Sequence, residues 1–186
     1  TRAKQLAELG YLVMAPNLYW RLGVDRLADD TPDDVAQAIA TLDRLDWDAA
    51  VSDAASTVEA LRTNVESVSI LGFSLGSGVG YELAHRLETS GSPASAYVGY
   101  YGPALPALVG SLQAISTASL FHFGSADSFI DHAAQEKVRL AVAERGSGEW
   151  HTWADAGHFF DSPAFLAPEA ADEAWQLTTD FMDAHR

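Results

Sequence analysis

Short apolar runs alternate with segments of helical periodicity along most of the chain. The runs are bounded by glycine, proline or polar residues, as buried strands are, and the segments between them repeat apolar residues every three or four positions, as amphipathic helices do. Strands separated by helices in this way form a mostly parallel sheet with helices on both faces, so the pattern predicts an α/β fold. The predicted strands are residues 11–16, 67–73, 95–101, 118–124 and 149–155, and the predicted helices lie within residues 3–9, 32–62, 75–89, 131–145 and 168–185.

Capping residues mark several helix boundaries. Gly10 is predicted to end the first helix, because glycine tolerates the left-handed backbone found at helix C-termini. Thr31 and Pro32 are typical of an N-cap and a first helical residue, and two aspartates follow at the positive end of the helix dipole. Residues 32–62 are predicted to form two helices that break near "LDWD". Asp131 is predicted to be the N-cap of the helix that follows it.

The segment "GFSLG", from Gly72 to Gly76, lies where a predicted strand ends and a predicted helix begins. A serine in this position sits on a sharp, strained turn that exposes its hydroxyl, and we expect side chains at 72 and 76 to clash with the neighbouring backbone. Ser74 is therefore a candidate nucleophile, and the backbone N–H of Leu75 a candidate oxyanion donor. The alternative is a tight turn that merely needs small residues.

A serine nucleophile needs a histidine base and an acid that orients it. His158 is the best candidate base, because it follows the last predicted strand in a loop, next to a glycine. Asp127, a few residues after the preceding strand, is the candidate acid. A backbone-capping histidine and a turn-forming aspartate are the alternatives. The remaining histidines fall on predicted helices or strands or at the C-terminus: His85, His122, His132, His151 and His185.

Composition excludes several classes of partner. The chain has 11 Lys and Arg against 26 Asp and Glu, a formal charge of -15, which disfavours nucleic acid and anionic membrane surfaces. The stretch "DRLADDTPDD" is predicted to be a solvated acidic face. There is no cysteine, no apolar signal-peptide core in "TRAKQLAELG" and no apolar run of membrane-spanning length. We expect a soluble, cytoplasmic protein.

The chain resembles the dienelactone hydrolase family, a branch of the α/β-hydrolases whose chain order is also serine, acid, histidine. The resemblance implies hydrolysis of a small carboxylic ester or lactone without metal or organic cofactor. It also implies that Ser74, Asp127 and His158 are nucleophile, acid and base. The stretches that carry it, in order, are "LAELGYLVMAPNLYWR", "ILGFSLGSG", "YVGYYG", "LFHFGSADSFI" and "WADAGHFF".

Two departures limit what the resemblance implies about the substrate. Many members of the family carry cysteine at the nucleophile position, where this chain has Ser74. Dienelactone hydrolases bind a substrate carboxylate with two arginines. Arg21 in "LYWR" matches the first, which makes it a candidate substrate-binding residue, whereas Ser162 stands where the second would be. The alternative for Arg21 is a surface salt bridge to Asp25 or Asp29.

The start of the chain matches the family only from a point inside the expected fold. In α/β-hydrolases, three strands and the oxyanion loop precede the segment that matches residues 1–16, and one of those strands normally lies between the strands at 11–16 and 67–73. We therefore expect one domain over residues 1–186, N-terminally incomplete relative to the family. Such a chain is expected to be poorly stable alone or to borrow strands from another copy as a homo-oligomer.

Metal and nucleotide chemistry have little support in the sequence. There is no H-E-x-x-H motif, phosphate-binding loop or metal-ligand spacing, and "GSGVG" lacks the full dinucleotide fingerprint. Three function classes remain: a serine ester or lactone hydrolase, an acyltransferase on the same fold, and a catalytically silent binding protein.

Overall fold

Four parallel strands form one sheet in the part of the chain that the structure describes. The computed structural model describes residues 1–25 and 31–186, so residues 26–30, which include Asp29 and half of the predicted acidic face, lie outside the described residues. The strands follow one another in space in their order along the chain. They are β1 (Ser69–Phe73), β2 (Ala96–Tyr100), β3 (Ala118–Gly124) and β4 (Gly148–Trp153).

Helices connect the strands and cover both faces of the sheet, which confirms the α/β prediction. They are α1 (Arg2–Glu8), α2 (Pro32–Leu42), α3 (Trp47–Arg62), α4 (Leu75–Thr89), α5 (Val109–Ala114), α6 (His132–Arg145) and α7 (Pro168–Ala184), with short 3-10 turns at Trp20–Leu22 and Leu105–Ala107. The predicted caps are present. Thr31 and Asp34 form a reciprocal capping box at α2, and the Asp131 carboxylate accepts a hydrogen bond from the backbone N–H of Ala134, 2.8 Å away.

Two hydrophobic clusters lie on opposite faces of the sheet. Alternation along the strands separates them, since successive side chains of a strand point to opposite faces. On β2, Tyr97 belongs to the cluster that includes buried residues of α3, α4 and α6, whereas Val98 belongs to the cluster with α1 and α7. On β3, Phe121 and Leu120 divide in the same way. The central strands are buried on both faces and therefore carry nearly continuous apolar runs.

The prediction of a strand at residues 11–16 is wrong in this structure. These residues form no strand, and Leu12 and Met14 are 56% and 47% exposed. A strand requires a hydrogen-bonded neighbour, and a cavity of about 1030 Å³ separates this segment from β1. The segment therefore does not pair with β1. The space between the two is the position at which the family is expected to have a further strand.

Smaller differences concern element ends and a missed helix. The last strand ends at Trp153, two residues earlier than expected, because a turn follows in which Asp155 has a φ of 58°. Helix α5 was not predicted from the sequence. It is only six residues long, and so short a segment carries little periodic signal.

Candidate active site

The candidate site lies at the carboxyl edge of the sheet. Ser74 directly follows β1, Asp127 follows β3 by three residues and His158 follows β4 by five. Because the strands are parallel, their carboxyl ends meet at one edge, so residues far apart in sequence come together there. The structure brings all three predicted residues into contact.

The backbone at Ser74 is strained. Its φ of 49° lies in the left-handed region that side chains other than glycine rarely adopt, and it joins β1 directly to α4. The Ser74 N–H donates to the carbonyl oxygen of Tyr100 on the neighbouring strand, 3.0 Å away, which holds the turn in place.

The two glycines of the motif do not have equal roles. A Cβ at Gly72 would lie 2.2 Å from the carbonyl oxygen of Gly76, so no side chain fits at residue 72. A Cβ at Gly76 would meet nothing within 4 Å. The expected clash at 76 is therefore wrong: this glycine contributes the backbone that Gly72 must approach.

Ser74, His158 and Asp127 form a continuous hydrogen-bonded chain. Ser74 Oγ lies 2.9 Å from His158 Nε2, and His158 Nδ1 lies 2.7 Å from Asp127 Oδ2. The other carboxylate oxygen of Asp127 accepts hydrogen bonds from the backbone N–H groups of Phe129 and Ile130, which fix its orientation. His158 and Asp127 are both buried, whereas Ser74 remains partly accessible. This arrangement can move a proton from the serine hydroxyl to an oriented imidazole.

Aromatic rings surround the His158 imidazole. Phe129 and Tyr101 each lie 4.7 Å from it between ring centroids, and Phe159 lies 4.3 Å away in an edge-on arrangement. These contacts restrict the rotation of the imidazole. Sequence reasoning did not single out these residues, although Tyr101 directly follows β2, just as Ser74 directly follows β1.

Tyr101 links the site to the first helix. Its hydroxyl donates a short hydrogen bond to Asp161 Oδ1, and the other oxygen of Asp161 lies 3.5 Å from Nε of Arg2. Burial raises the pKa of Tyr101 well above its usual value, and the adjacent Asp161 carboxylate raises it further, so this phenol stays protonated and donates. Asp161 itself lies three residues after His158, so the pair anchors the loop that carries the histidine.

A cavity of about 700 Å³ opens at Ser74. Arg2 and Asp161 provide the only charged side chains among the described residues that line it. Ser162 also lines it, but its hydroxyl is buried and has no hydrogen-bond partner among the described residues. The rest of the wall is mainly aromatic or aliphatic and includes Tyr19, Val35, Ala38, Phe73, Tyr101 and Phe159.

Arg21 is bound by a carboxylate of the protein. Its Nε and Nη2 atoms donate to the two oxygens of Asp53 at 3.0 and 2.8 Å, and its guanidinium stacks on Trp20. The salt-bridge partner of Arg21 is therefore Asp53 on α3 and not Asp25, while Asp29 lies outside the described residues. Arg21 is not among the described residues that line the cavity at Ser74. Its contact with a substrate stays a prediction.

Leu75 is the first residue of α4. The N–H of a first helical residue has no acceptor within its own helix, so this group is available beside the serine.

In residues 1–25 and 31–186, no group of three or more His, Asp or Glu side chains is arranged to hold a metal ion. Within the same residues, every helix is too short or too polar to cross a membrane.

Comparison with known proteins assigns the chain to a family. The model of the "Dienelactone hydrolase family" matches residues 1–186. The chain belongs to the dienelactone hydrolase family. A carboxymethylenebutenolidase from a Pseudomonas species is 30% identical over 185 residues, which cover 95% of this chain and 74% of that protein. Carboxymethylenebutenolidase 1 from Cupriavidus pinatubonensis is 29% identical over 167 residues, which cover 86% and 69% of the two chains.

Solved structures show the same fold. A dienelactone hydrolase-like promiscuous phosphotriesterase from metagenomic libraries matches with a TM-score of 0.75 and 22% identity, over 99% of this chain and 79% of that one. The family model confirms the dienelactone hydrolase resemblance drawn from the sequence. The protein is a hydrolase of the α/β type.

Proposed function

We propose that this dienelactone hydrolase family member cleaves carboxylic esters or lactones with Ser74 as nucleophile, His158 as base and Asp127 as the acid that orients it. The observation that carries the proposal is the unbroken chain of hydrogen bonds from Ser74 Oγ through His158 to Asp127. The relatives named carboxymethylenebutenolidase support the choice of ester and lactone substrates.

The geometry supports a two-step acyl transfer. Ser74 Oγ forms a bond to the carbonyl carbon while His158 Nε2 takes the hydroxyl proton, and the carbonyl oxygen becomes an oxyanion near the Leu75 N–H. The bond to the leaving oxygen then breaks, and His158 gives its proton to that oxygen. Water repeats the sequence on the acyl-serine, which releases the acid and restores Ser74. Asp127 holds the His158 tautomer throughout.

A labelling experiment tests the nucleophile. A fluorophosphonate probe should form an adduct on Ser74, located by mass spectrometry, and Ser74→Ala should abolish it. Ser92→Ala provides the matched control, because this exposed serine follows the opposite end of α4 and should leave labelling unchanged. An adduct elsewhere, or none in the folded parent protein, would exclude the proposed nucleophile and favour a silent binding protein.

Kinetics test the triad as a unit. With a small aryl ester, Ser74→Ala should reduce kcat by about four to six orders of magnitude, and His158→Ala by nearly as much. The double variant should lose little more, because residues that act in one step are not additive. Additive losses contradict a shared mechanism. An alcohol acceptor that captures most of the acyl group would instead identify an acyltransferase.

A further inference from the structure

The arginines near the site are paired with carboxylates of the protein. Arg2, the only cationic side chain among the described residues lining the cavity of about 700 Å³ at Ser74, faces Asp161. Arg186 lines the larger cavity that also reaches Ser74, and it pairs with Asp183. Arg21 is held by both oxygens of Asp53. Asp161 in turn accepts a hydrogen bond from the Tyr101 hydroxyl. An anionic substrate would have to displace one of these pairs, in a protein that carries a formal charge of -15. The charges around the cavity therefore favour neutral substrates.

An exposed row of aromatic rings continues from this cavity. Phe159 lines the cavity, and its ring lies 5.8 Å from Phe129 on one side and 6.1 Å from Phe165 on the other, between centroids. We call Phe129, Phe159 and Phe165 the phenylalanine strip. Phe129 and Phe165 are 54% and 43% exposed. Large apolar side chains exposed side by side at the rim of a cavity are typical of a binding surface.

The strip lies on the side of the site where a leaving group must be. In the proposed mechanism His158 gives its proton to the leaving oxygen, so that oxygen lies next to the imidazole. Phe129 and Phe159 both contact this imidazole, at 4.7 and 4.3 Å between centroids. A leaving group bound at His158 therefore extends over the strip, while Phe73 remains available to the acyl group in the cavity.

We infer that the protein prefers neutral esters whose leaving group is aromatic and lies along the phenylalanine strip. This inference rests on the hydrolase mechanism proposed above, and it concerns the substrate class of the same site. Ring-to-ring contacts of an aromatic leaving group with Phe129, Phe159 and Phe165 supply the affinity. Because these arginines are paired with carboxylates of the protein, they offer no free positive charge to an acidic group of a substrate.

Three butyrate esters test the preference: benzyl butyrate, 4-carboxybenzyl butyrate and methyl butyrate. The first two differ only by a carboxylate remote from the ester, so intrinsic reactivity is nearly matched. We expect kcat/KM to be about tenfold or more higher for benzyl butyrate than for its carboxylate analogue, and higher than for methyl butyrate.

Variants separate the strip from the rest of the site. Phe165→Ala removes the ring farthest from His158 and should lower kcat/KM for benzyl butyrate about three- to tenfold, with little change for methyl butyrate. Leu166→Ala is the matched control, because this neighbouring residue is 52% exposed and forms no part of the strip. It should leave both values unchanged. Equal effects of the two variants, or equal losses on both esters, overturn the role of the strip.

The outcomes distinguish this inference from the proposed function. If Ser74 is labelled by the fluorophosphonate and methyl butyrate is cleaved, but 4-carboxybenzyl butyrate is the better substrate of the two benzyl esters, only the inference fails. Loss of that preference in Arg21→Ala would then assign the carboxylate contact to Arg21, as the sequence predicts. If Ser74 is not labelled and none of the esters is cleaved, the proposed function and the inference both fail.

Discussion

Gly72 shows how a single residue can determine the geometry of the site. The turn at Ser74 folds the start of α4 back over β1, so the carbonyl of Gly76 occupies the space that a side chain at residue 72 would need. Because the obstacle is backbone at a strained turn, it cannot rotate away as a flexible side chain could. Gly76 faces no such obstacle.

This difference predicts opposite effects of the same substitution. Gly72→Ala should destabilise the protein by about 3 kcal/mol or more, or prevent folding, because the turn must open to admit the methyl group. Gly76→Ala lies within the first turn of α4 and should change the free energy of unfolding by less than about 1 kcal/mol, in the stabilising direction. Urea unfolding measures both. Equal stabilities of the two variants would contradict this account of the turn.

At the scale of elements, a buried polar network attaches α7 to the sheet. Thr178 of α7 hydrogen-bonds both the hydroxyl of Tyr100 on β2, at 2.7 Å, and Nε2 of His122 on β3, at 3.1 Å. Trp153, at the end of β4, donates its indole N–H to His122 Nδ1 at 3.3 Å. The two bonds of the imidazole require a neutral ring that accepts at Nδ1 and donates at Nε2. Helix α7 is thus connected to β2 directly through Thr178, and to β3 and β4 through one neutral histidine.

The neutral state of His122 makes stability depend on pH. Burial, together with nearby His151, lowers the pKa of His122 from 6.5 to about 3. His122 therefore binds a proton near pH 6.5 in the unfolded chain but only near pH 3 in the folded protein. Its contribution lowers the free energy of unfolding as the pH falls through that window. Between about pH 7.5 and pH 5 the loss is about 2 kcal/mol.

Denaturant unfolding at several pH values measures this contribution. His122→Asn keeps a donor and an acceptor but does not titrate, so its free energy of unfolding should fall less than that of the parent protein over the same interval, by about 2 kcal/mol. Parallel pH profiles for the two proteins would show that His122 is not the group responsible.

At the scale of the whole molecule, β1 and β4 are the two edge strands of the sheet as the structure describes it, and β1 is the one that faces a cavity. Strand β1 has β2 on one side and, among the described residues, only the cavity of about 1030 Å³ on the other. Leu12 and Met14 lie across that cavity as exposed apolar side chains. Unpaired backbone groups beside apolar surface can pair with a strand of another polypeptide.

A polypeptide of these 186 residues should therefore self-associate through the β1 edge. Light scattering after size exclusion should give a mass that increases with concentration. The double variant Leu12→Lys, Met14→Lys should shift the protein towards monomer, because charges at the edge oppose pairing. Leu140→Lys is the control, since Leu140 is 49% exposed on α6, away from this edge. A parent protein that stays monomeric at all concentrations, or an equal shift by Leu140→Lys, excludes this mode of association.

The sequence by itself determined the order of the four observed strands and of the longer helices, together with the candidate catalytic residues. Buried strands and amphipathic helices produce local patterns, and caps such as Thr31 and Asp131 act within one turn, so short segments suffice to predict them. Ser74, Asp127 and His158 were singled out as candidates because each follows a predicted strand, and parallel strands bring their carboxyl ends to one edge. The family was predicted from the same stretches and is confirmed.

Only the tertiary structure decided which partners these residues meet. Residues 11–16 have the composition of a strand but form none, because a strand depends on a neighbour that the local pattern does not specify. Arg21 could pair with any nearby carboxylate, and the packing of α3 selects Asp53, which lies 32 positions away. The rings around His158 come from three separate loops. Such contacts depend on distances across the fold, whereas the sequence pattern reports only distances along the chain.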